Sequence, residues 1–182
     1  MLERYRPNNI PLNSEDSFRK SPESIFTRPT IFLVKNSKEI NNQLLESFSL
    51  HPEDPVSQFL GELLIAYPKA LNLQSPPSTH SGSSALYYLD GEKMQGDRFY
   101  LSTLRPDSKT SNHIHRFPVI ERYRLLAGAA YVNGELLNTK GHFDIKPKTP
   151  HRLTTGNSPA LILIQMINGA HIPTEELHEY VD

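Results

Sequence analysis

At 182 residues the chain has the length of one ordinary domain, and its hydrophobic content of 37% is low enough that we expect a polar segment outside the core. Lys and Arg number 19 and Asp and Glu 20, so the net charge of -1 gives no electrostatic reason to expect nucleic acid or an anionic membrane as a partner. The chain has no cysteine, which excludes disulfides, thiolate metal ligands and cysteine nucleophiles.

The N-terminal residues 1–18 are polar and charged and contain no apolar run of the kind that marks a secretory signal. The longest apolar stretch, residues 160–167, is interrupted by Gln165 and has the length of a strand rather than of a membrane span. We therefore expect a soluble, cytoplasmic protein.

Residues 1–84 are predicted to form an N-terminal extension, because they are rich in Pro, Ser and Asn and lack the alternation of polar and apolar residues that marks a sheet. Within the extension, residues 31–34 favour a short strand, and residues 74–84 have the composition of a linker. We expect the extension to pack outside the main domain.

Two short helices are predicted within this extension. Ser37 is a suitable N-cap for the first helix, whose apolar residues fall on one face. That face consists of Ile40, Leu44, Leu45 and Phe48. The second helix is predicted over residues 56–67, with Pro55 placed at its start and Pro68 at its end.

Residues 85–182 are predicted to form an all-β domain, because short β-prone runs follow one another with turn residues between them. The dipeptide Asn133-Gly134 suits a two-residue hairpin turn, since both residue types tolerate positive φ. The pattern predicts a sandwich or jelly-roll barrel, closed to avoid exposed edges. The predicted strands are 85–89, 98–104, 121–127, 131–132, 135–137, 151–155 and 161–167. Residues 174–180 are predicted to form a capped helical turn.

Two histidines and a glutamate stand out within the β region. His113 and His115 are two residues apart, so on a strand both side chains point to one face. Glu121 opens the next strand, and its face is shared by Tyr123, Leu125 and Ala127. A carboxylate that faces an apolar interior is costly unless it meets a cation or a proton. Two imidazoles and a carboxylate about one centre therefore predict a metal site, suited to Zn, Fe, Mn, Ni or Cu.

Several other polar residues near this group can each be interpreted in two ways. The Tyr123 hydroxyl would reach a bound ligand, or its ring simply packs in the core. Residues 109–112 offer hydrogen-bond donors for phosphate or sugar hydroxyls, or form an ordinary polar loop. Arg122 and Arg124 point to the opposite face and are expected on the outer surface or at a dimer contact. The remaining histidines are expected at the surface, namely His51, His80, His142, His171 and His178.

This group of residues resembles the first motif of the cupin superfamily, in which His-x-His precedes a Glu and a Gly closes the following strand. His113, His115, Glu121 and Gly128 match that motif. The gap between His115 and Glu121 is one residue longer than the commonest form, and Pro118 lies within it.

The second cupin motif supplies a histidine after a proline-rich turn, and residues 145–153 are similar to it, with His151 in the place of that histidine. Lys146 and Lys148 stand where the motif usually has Pro and Gly, whereas Gly141 and Pro150 fit. The resemblance covers roughly residues 98–167.

The resemblance implies a double-stranded β-helix, the jelly-roll barrel of cupins, over residues 85–182. It implies one divalent metal ion, such as Fe, Zn, Mn or Ni, bound to His113, His115, Glu121 and His151. It also implies a homodimer. Because the N-terminal extension lacks alternation but carries two short amphipathic helices, we expect it to cover a sheet face or a partner subunit.

Three nitrogens and one carboxylate leave two positions of an octahedral ion open to a small-molecule ligand or substrate. Three functions fit that arrangement: an isomerase or epimerase of a sugar or sugar phosphate, a mononuclear non-heme iron dioxygenase, and a non-catalytic metal-dependent binding protein. The first is favoured, with Glu121 and Tyr123 as catalytic residues, because these two and the polar residues before His113 are weakly similar to the cupin-type sugar-phosphate isomerases. Fold and ligand set are common to all three functions.

Overall fold

The computed structural model describes residues 30–67, 69–74, 85–90, 96–172 and 176–181. Within these ranges the chain forms twelve strands and two helices. The strands are β1 (Thr30–Asn36), β2 (Lys69–Gln74), β3 (Ala85–Asp90), β4 (Arg98–Leu104), β5 (His113–His115), β6 (Ile120–Gly128), β7 (Tyr131–Val132), β8 (Glu135–Leu136), β9 (Phe143–Ile145), β10 (Leu153–Thr154), β11 (Ala160–Ile167) and β12 (His178–Tyr180). The helices are α1 (Ser37–Ser47) and α2 (Pro55–Ala66).

The strands form one large antiparallel sheet and two small ones. The large sheet has seven strands in the order β1-β2-β3-β4-β11-β6-β9. The small sheets have the orders β10-β7-β8 and β12-β5, and isolated bridges join Lys109 to Thr154 and His113 to His151. These bridges connect the two small sheets into the second layer of the barrel. The predicted jelly-roll fold is confirmed.

The interior of the barrel is an apolar cluster to which both layers contribute. Leu86, Tyr100 and Ile162 from the large sheet belong to the same buried cluster as Val132 and Leu153 from the small one. Burying a side chain of this size contributes about 1.5–3 kcal/mol. The core therefore holds the two layers together independently of any bound ion.

The two helices cover the outer face of the large sheet, as expected for the extension. Leu44 of α1 and Leu60 and Leu64 of α2 are buried in a second cluster with Leu101 and Leu161 of the sheet. Leu60 and Leu64 are four residues apart, so they lie on one face of α2. Both predicted helices are confirmed, and α2 begins at Pro55 as its sequence indicated.

The extension also contributes strands to the large sheet. The predicted strand at residues 31–34 is confirmed as part of β1, whereas β2 was not predicted. Strand β2 pairs with β1 on one side and with β3 on the other, so the pairing crosses the boundary predicted near residue 84. Residues 75–84 of the predicted linker lie outside the described residues.

The C-terminal tail differs from its prediction. Of the predicted helical turn, residues 174 and 175 lie outside the described residues, and residues 178–180 form β12, which pairs with β5 so that Tyr180 lies opposite His113. The Val181 amide also donates to the Asn112 carbonyl at 3.1 Å. The prediction was wrong because pairing with the open edge of β5 satisfies backbone groups that a short helical turn would leave to solvent. Strand β9, which pairs with β6, was also not predicted.

The alternation of inward-facing and outward-facing residues along β6 is interrupted once. Its register against β11 shifts between Leu161 and Ile162, whose partners are Ala127 and Leu125. Leu125 therefore faces the barrel interior as predicted, but Ala127 packs against the cluster beneath the helices. An extra residue in one strand reverses the alternation beyond it, which the sequence pattern did not reveal.

The hairpin between β7 and β8 turns at Asn133 and Gly134, which both have positive φ, of 50° and 86°. The predicted two-residue turn is thus confirmed. Among the described residues, neither helix has the length and apolar character needed to span a membrane.

Candidate metal centre

The four predicted ligands lie on β5, on β6 and just before β10, so both layers of the barrel contribute to the centre. Strand β5 supplies His113 and His115, and β6 supplies Glu121. His151 precedes β10 and is paired with His113 through two backbone hydrogen bonds of 3.0 and 2.9 Å. The pleat of β5 and this pairing bring the three imidazoles together at the barrel interior.

The four side chains converge on one point. Their candidate ligand atoms all lie within 4.8 Å of one another, and all four residues are buried. Oε2 of Glu121 is 2.7 Å from Nε2 of His115, 2.6 Å from Nε2 of His151 and 3.9 Å from Nε2 of His113. Neighbouring ligands around an ion with bonds near 2.1 Å are about 3 Å apart, so these spacings fit a single small cation.

Backbone carbonyls fix the tautomer of each histidine. Nδ1 lies 3.0 Å from the Ser111 oxygen in His113, 2.9 Å from the Leu177 oxygen in His115, and 2.9 Å from the Thr149 oxygen in His151. A carbonyl oxygen can only accept a hydrogen bond, so each Nδ1 carries the hydrogen. The Nε2 atoms therefore point to the centre, which is the arrangement of metal-binding imidazoles.

The electrostatics of the centre favour a cation beside the Glu121 carboxylate. Burial raises the pKa of the Glu121 carboxyl, but contacts with His115 and His151 outweigh it and hold that pKa well below its usual value. Burial lowers the pKa of His115, yet the carboxylate raises it overall, whereas burial and the neighbouring His151 lower the pKa of His113 to about 3. Glu121 is thus ionised inside the barrel, where a proton on His115 or a metal ion offsets its charge. This donor set can hold one divalent ion.

Tyr123 contacts the same carboxylate. Its hydroxyl donates to Oε2 of Glu121 at 2.6 Å, and its ring lies edge-on to that of His151, with centroids 6.2 Å apart. Burial and the neighbouring carboxylate raise the pKa of the Tyr123 hydroxyl well above its usual value. The two interpretations of Tyr123 therefore coincide, because the ring packs in the core and the hydroxyl faces the centre.

Several groups at the centre could not be found from the sequence. Ser111 and Thr149 each precede a candidate ligand by two residues, and the importance of that spacing is apparent only from the fold. The Leu177 carbonyl belongs to the tail that was predicted as a helical turn. Tyr180 stands near His113, with ring centroids 6.3 Å apart.

The remaining predicted candidates lie elsewhere. In the segment 109–112, the Thr110 hydroxyl accepts from the Leu153 amide at 2.9 Å, so it serves the fold. His142 is exposed, with Nε2 3.9 Å from Oδ2 of Asp144, and His51 and His171 are also exposed. Arg122 faces outward and forms two hydrogen bonds to Asp144, of 2.7 and 2.8 Å. His80 lies outside the described residues, and His178 takes part in β12.

Replacing Glu121 with Gln tests the charge of the centre. Gln keeps the shape and one acceptor oxygen but removes the negative charge that offsets the cation in a low-dielectric barrel. We expect a folded protein whose metal affinity falls by about 10- to 100-fold and remains measurable. Competition with a metal-binding dye measures the change.

The matched control is Asp144→Asn, because Asp144 is a carboxylate on the adjacent strand β9 that faces solvent. This control should bind metal like the parent. If Glu121→Gln also binds like the parent, the carboxylate is not a ligand and the site has only its three histidines.

Comparisons with known proteins identify the fold. No protein-family model and no curated protein matches the chain. A solved structure described as DMSP lyases RdDddP and RnDddQII matches with 17% identity over 92% of this chain and 93% of that one, at a TM-score of 0.57. A cupin-like protein from Thermotoga maritima matches with 14% identity over 59% of this chain and 83% of that one, at 0.49. A predicted oxalate decarboxylase from the same organism has 19% identity over 53% and 90%, at 0.44.

Proposed function

We propose that this chain, which has the cupin fold, is a metal-dependent enzyme. It would transfer a proton to or from the carbon atom next to a carbonyl or carboxylate group of a small substrate. The ion would be held by His113, His115, Glu121 and His151. The observation that carries the proposal is the position of the Tyr123 hydroxyl, which is buried and hydrogen-bonded at 2.6 Å to the carboxylate of this group. A site that only stores metal has no need of a proton donor at that position.

A divalent ion held there would supply a Lewis acid that polarises a substrate oxygen and makes the adjacent C–H bond more acidic. The residues of the chain supply the rest. Tyr123 would act as the acid–base group: as the phenolate it takes the proton from the substrate carbon, and as the phenol, hydrogen-bonded to Oε2 of Glu121, it returns one. His113 stays neutral because its pKa is about 3, so it serves as a ligand and not as an acid.

Two reaction classes share this proton transfer. Isomerases and epimerases of sugars or sugar phosphates remove a proton next to a carbonyl and return it elsewhere. Lyases that eliminate a leaving group begin with the same removal. The match to a DMSP lyase structure over 92% of this chain supports considering the second class beside the first. Neither reaction class consumes O2, and this distinguishes both of them from a dioxygenase.

Replacing Tyr123 with Phe tests the proposal. We expect unchanged metal content, because the phenol is not a ligand, and a fall of about 100-fold or more in proton transfer, because general acid–base groups contribute that much. The measurement is NMR in D2O of metal-loaded protein with aldose and ketose phosphates and with small carboxylic acids. Loss of a C–H signal next to the carbonyl reports the exchange.

The control is Tyr131→Phe, which alters a tyrosine of β7 outside the metal centre. It should exchange like the parent. Equal exchange in Tyr123→Phe would remove that residue from the mechanism. Substrate turnover that consumes O2 without any C–H exchange would contradict the proposed reaction class and favour a dioxygenase.

A further inference from the structure

A groove of about 520 Å³ lies on the outer face of the large sheet, between α2 and strands β6 and β11. That volume is within the range of about 300–1,000 Å³ typical of small-molecule sites. Arg122 and Arg124 line it, and they alternate along β6 with the inward-facing Glu121 and Tyr123. The groove is therefore separated from the metal centre by the thickness of the sheet.

One part of the groove is apolar and partly aromatic. Phe59 and Leu63 of α2 form one wall, and Phe99 of β4 and Leu163 of β11 form the floor. The rings of Tyr67 and Phe99 are tilted against each other with centroids 5.7 Å apart. These side chains offer a surface for the apolar body of a ligand.

Most of the remaining lining residues are basic. These are Arg122, Arg124, Lys140 and His142, and no carboxylate is among the described lining residues. This concentration of positive charge occurs in a chain whose net charge is -1.

The basic groups differ in how far their charge is already balanced. Arg122 forms two hydrogen bonds to Asp144, and the pKa of Arg122 is raised by this contact and also by the charge of Asp97. Arg124 and Lys140 form no ion pair with any carboxylate in the described part of the chain. The Arg124 guanidinium lies 4.6 Å from the centroid of the Phe59 ring, a contact that orders it against the apolar wall. An ordered guanidinium beside an aromatic wall is suited to a carboxylate attached to an apolar group.

We propose that this groove is a second binding site, for a small monocarboxylate with an aromatic or branched aliphatic body. Its carboxylate would lie against Arg124 and Lys140, and its body against Phe59, Leu63 and Leu163. The site is independent of the proposed enzymatic function, because no metal ligand contributes to it.

The experiment uses zinc-loaded, full-length protein and the probe 3-phenylpropionate, followed by NMR of the Leu63 and Leu163 methyl groups. We expect one probe per chain and saturable shifts of both methyl signals. Propionate has the charge without the ring, and 3-phenylpropan-1-ol has the ring without the charge. Each should bind at least about tenfold more weakly, because each lacks one of the two contacts.

Variants locate the site. Arg124→Gln/Lys140→Gln removes two charges from the groove and should weaken the probe by about tenfold or more. The matched control is Lys38→Gln/Arg105→Gln, which removes two exposed charges that do not line the groove and should bind like the parent. Circular dichroism of both double variants checks that they are folded.

Three results would overturn the proposal. One is equal binding by the groove variant and the parent. Another is a probe that shifts only the signals of the metal-centre histidines, which would mean that the carboxylate binds at the ion. The third is methyl shifts that follow protein concentration and not the probe, which would make the groove a contact between two copies of the chain.

Discussion

Replacing His151 with alanine is expected to lower the affinity for a divalent metal ion by about 100-fold or more, because loss of outer-shell partners already costs about 10- to 100-fold. Nε2 of His151 is 2.6 Å from Oε2 of Glu121, and the imidazole is fully buried. Alanine keeps the backbone pairing with His113 but removes one of four donors. The fold should remain, because the apolar cluster of the barrel core contains none of the four candidate ligands.

Competition with a metal-binding dye measures this loss, and His113→Ala and His115→Ala should behave alike. His142→Ala is the control, since His142 is exposed and its nearest described acid is Asp144. It should bind metal as the parent does. A folded His151→Ala protein with parental affinity would show that this histidine is a core residue and not a ligand.

Replacing Gly128 with alanine is expected to cost about 3–5 kcal/mol in the free energy of unfolding. Gly128 has φ of +79°, which L-residues rarely adopt, and an added Cβ would lie 1.8 Å from the backbone oxygen of Pro159. That oxygen cannot move freely, because it also accepts from the Ala129 amide at 3.2 Å. Domains are stable by only about 5–15 kcal/mol, so the variant should approach the limit of folding. Urea unfolding followed by circular dichroism measures the change.

Gly134→Ala separates the two causes of this loss. Gly134 has a similar φ of +86°, but an added Cβ there would have nothing within 4 Å. It should lose only about 1–2 kcal/mol, the cost of the left-handed backbone alone. A Gly128→Ala variant no less stable than Gly134→Ala would mean that the β6–β11 junction relaxes around the new methyl group.

The convergence of three of the four candidate ligands was predictable because it depends on short spacings. His113 and His115 share a face through the period of a strand, and Glu121, the second residue of the next strand, faces the same side. The similarity to the cupin motifs added His151, which lies 36 positions after His115 and could not be placed by periodicity. The longer gap after His115 does not move Glu121 away from the histidines.

Other features depend on contacts that a single sequence does not reveal. The strand β12 forms only because β5 has an open edge to pair with, so the Leu177 carbonyl that orients His115 had no sequence signal. The alternation of Leu71 and Leu73 with polar residues was a weak sign of β2, obscured by the linker composition that follows. Ala127 faces the side opposite to the predicted one because the register between β6 and β11 shifts next to it.

The most direct test of the metal centre is a crystal structure of protein purified without chelator, with anomalous diffraction recorded at the absorption edge of the bound metal. We expect one anomalous peak per chain, about 2.0–2.2 Å from Nε2 of His113, His115 and His151 and from a carboxylate oxygen of Glu121. A peak at any other place, or none after addition of excess Zn2+, Mn2+, Ni2+ or Fe2+, would contradict it.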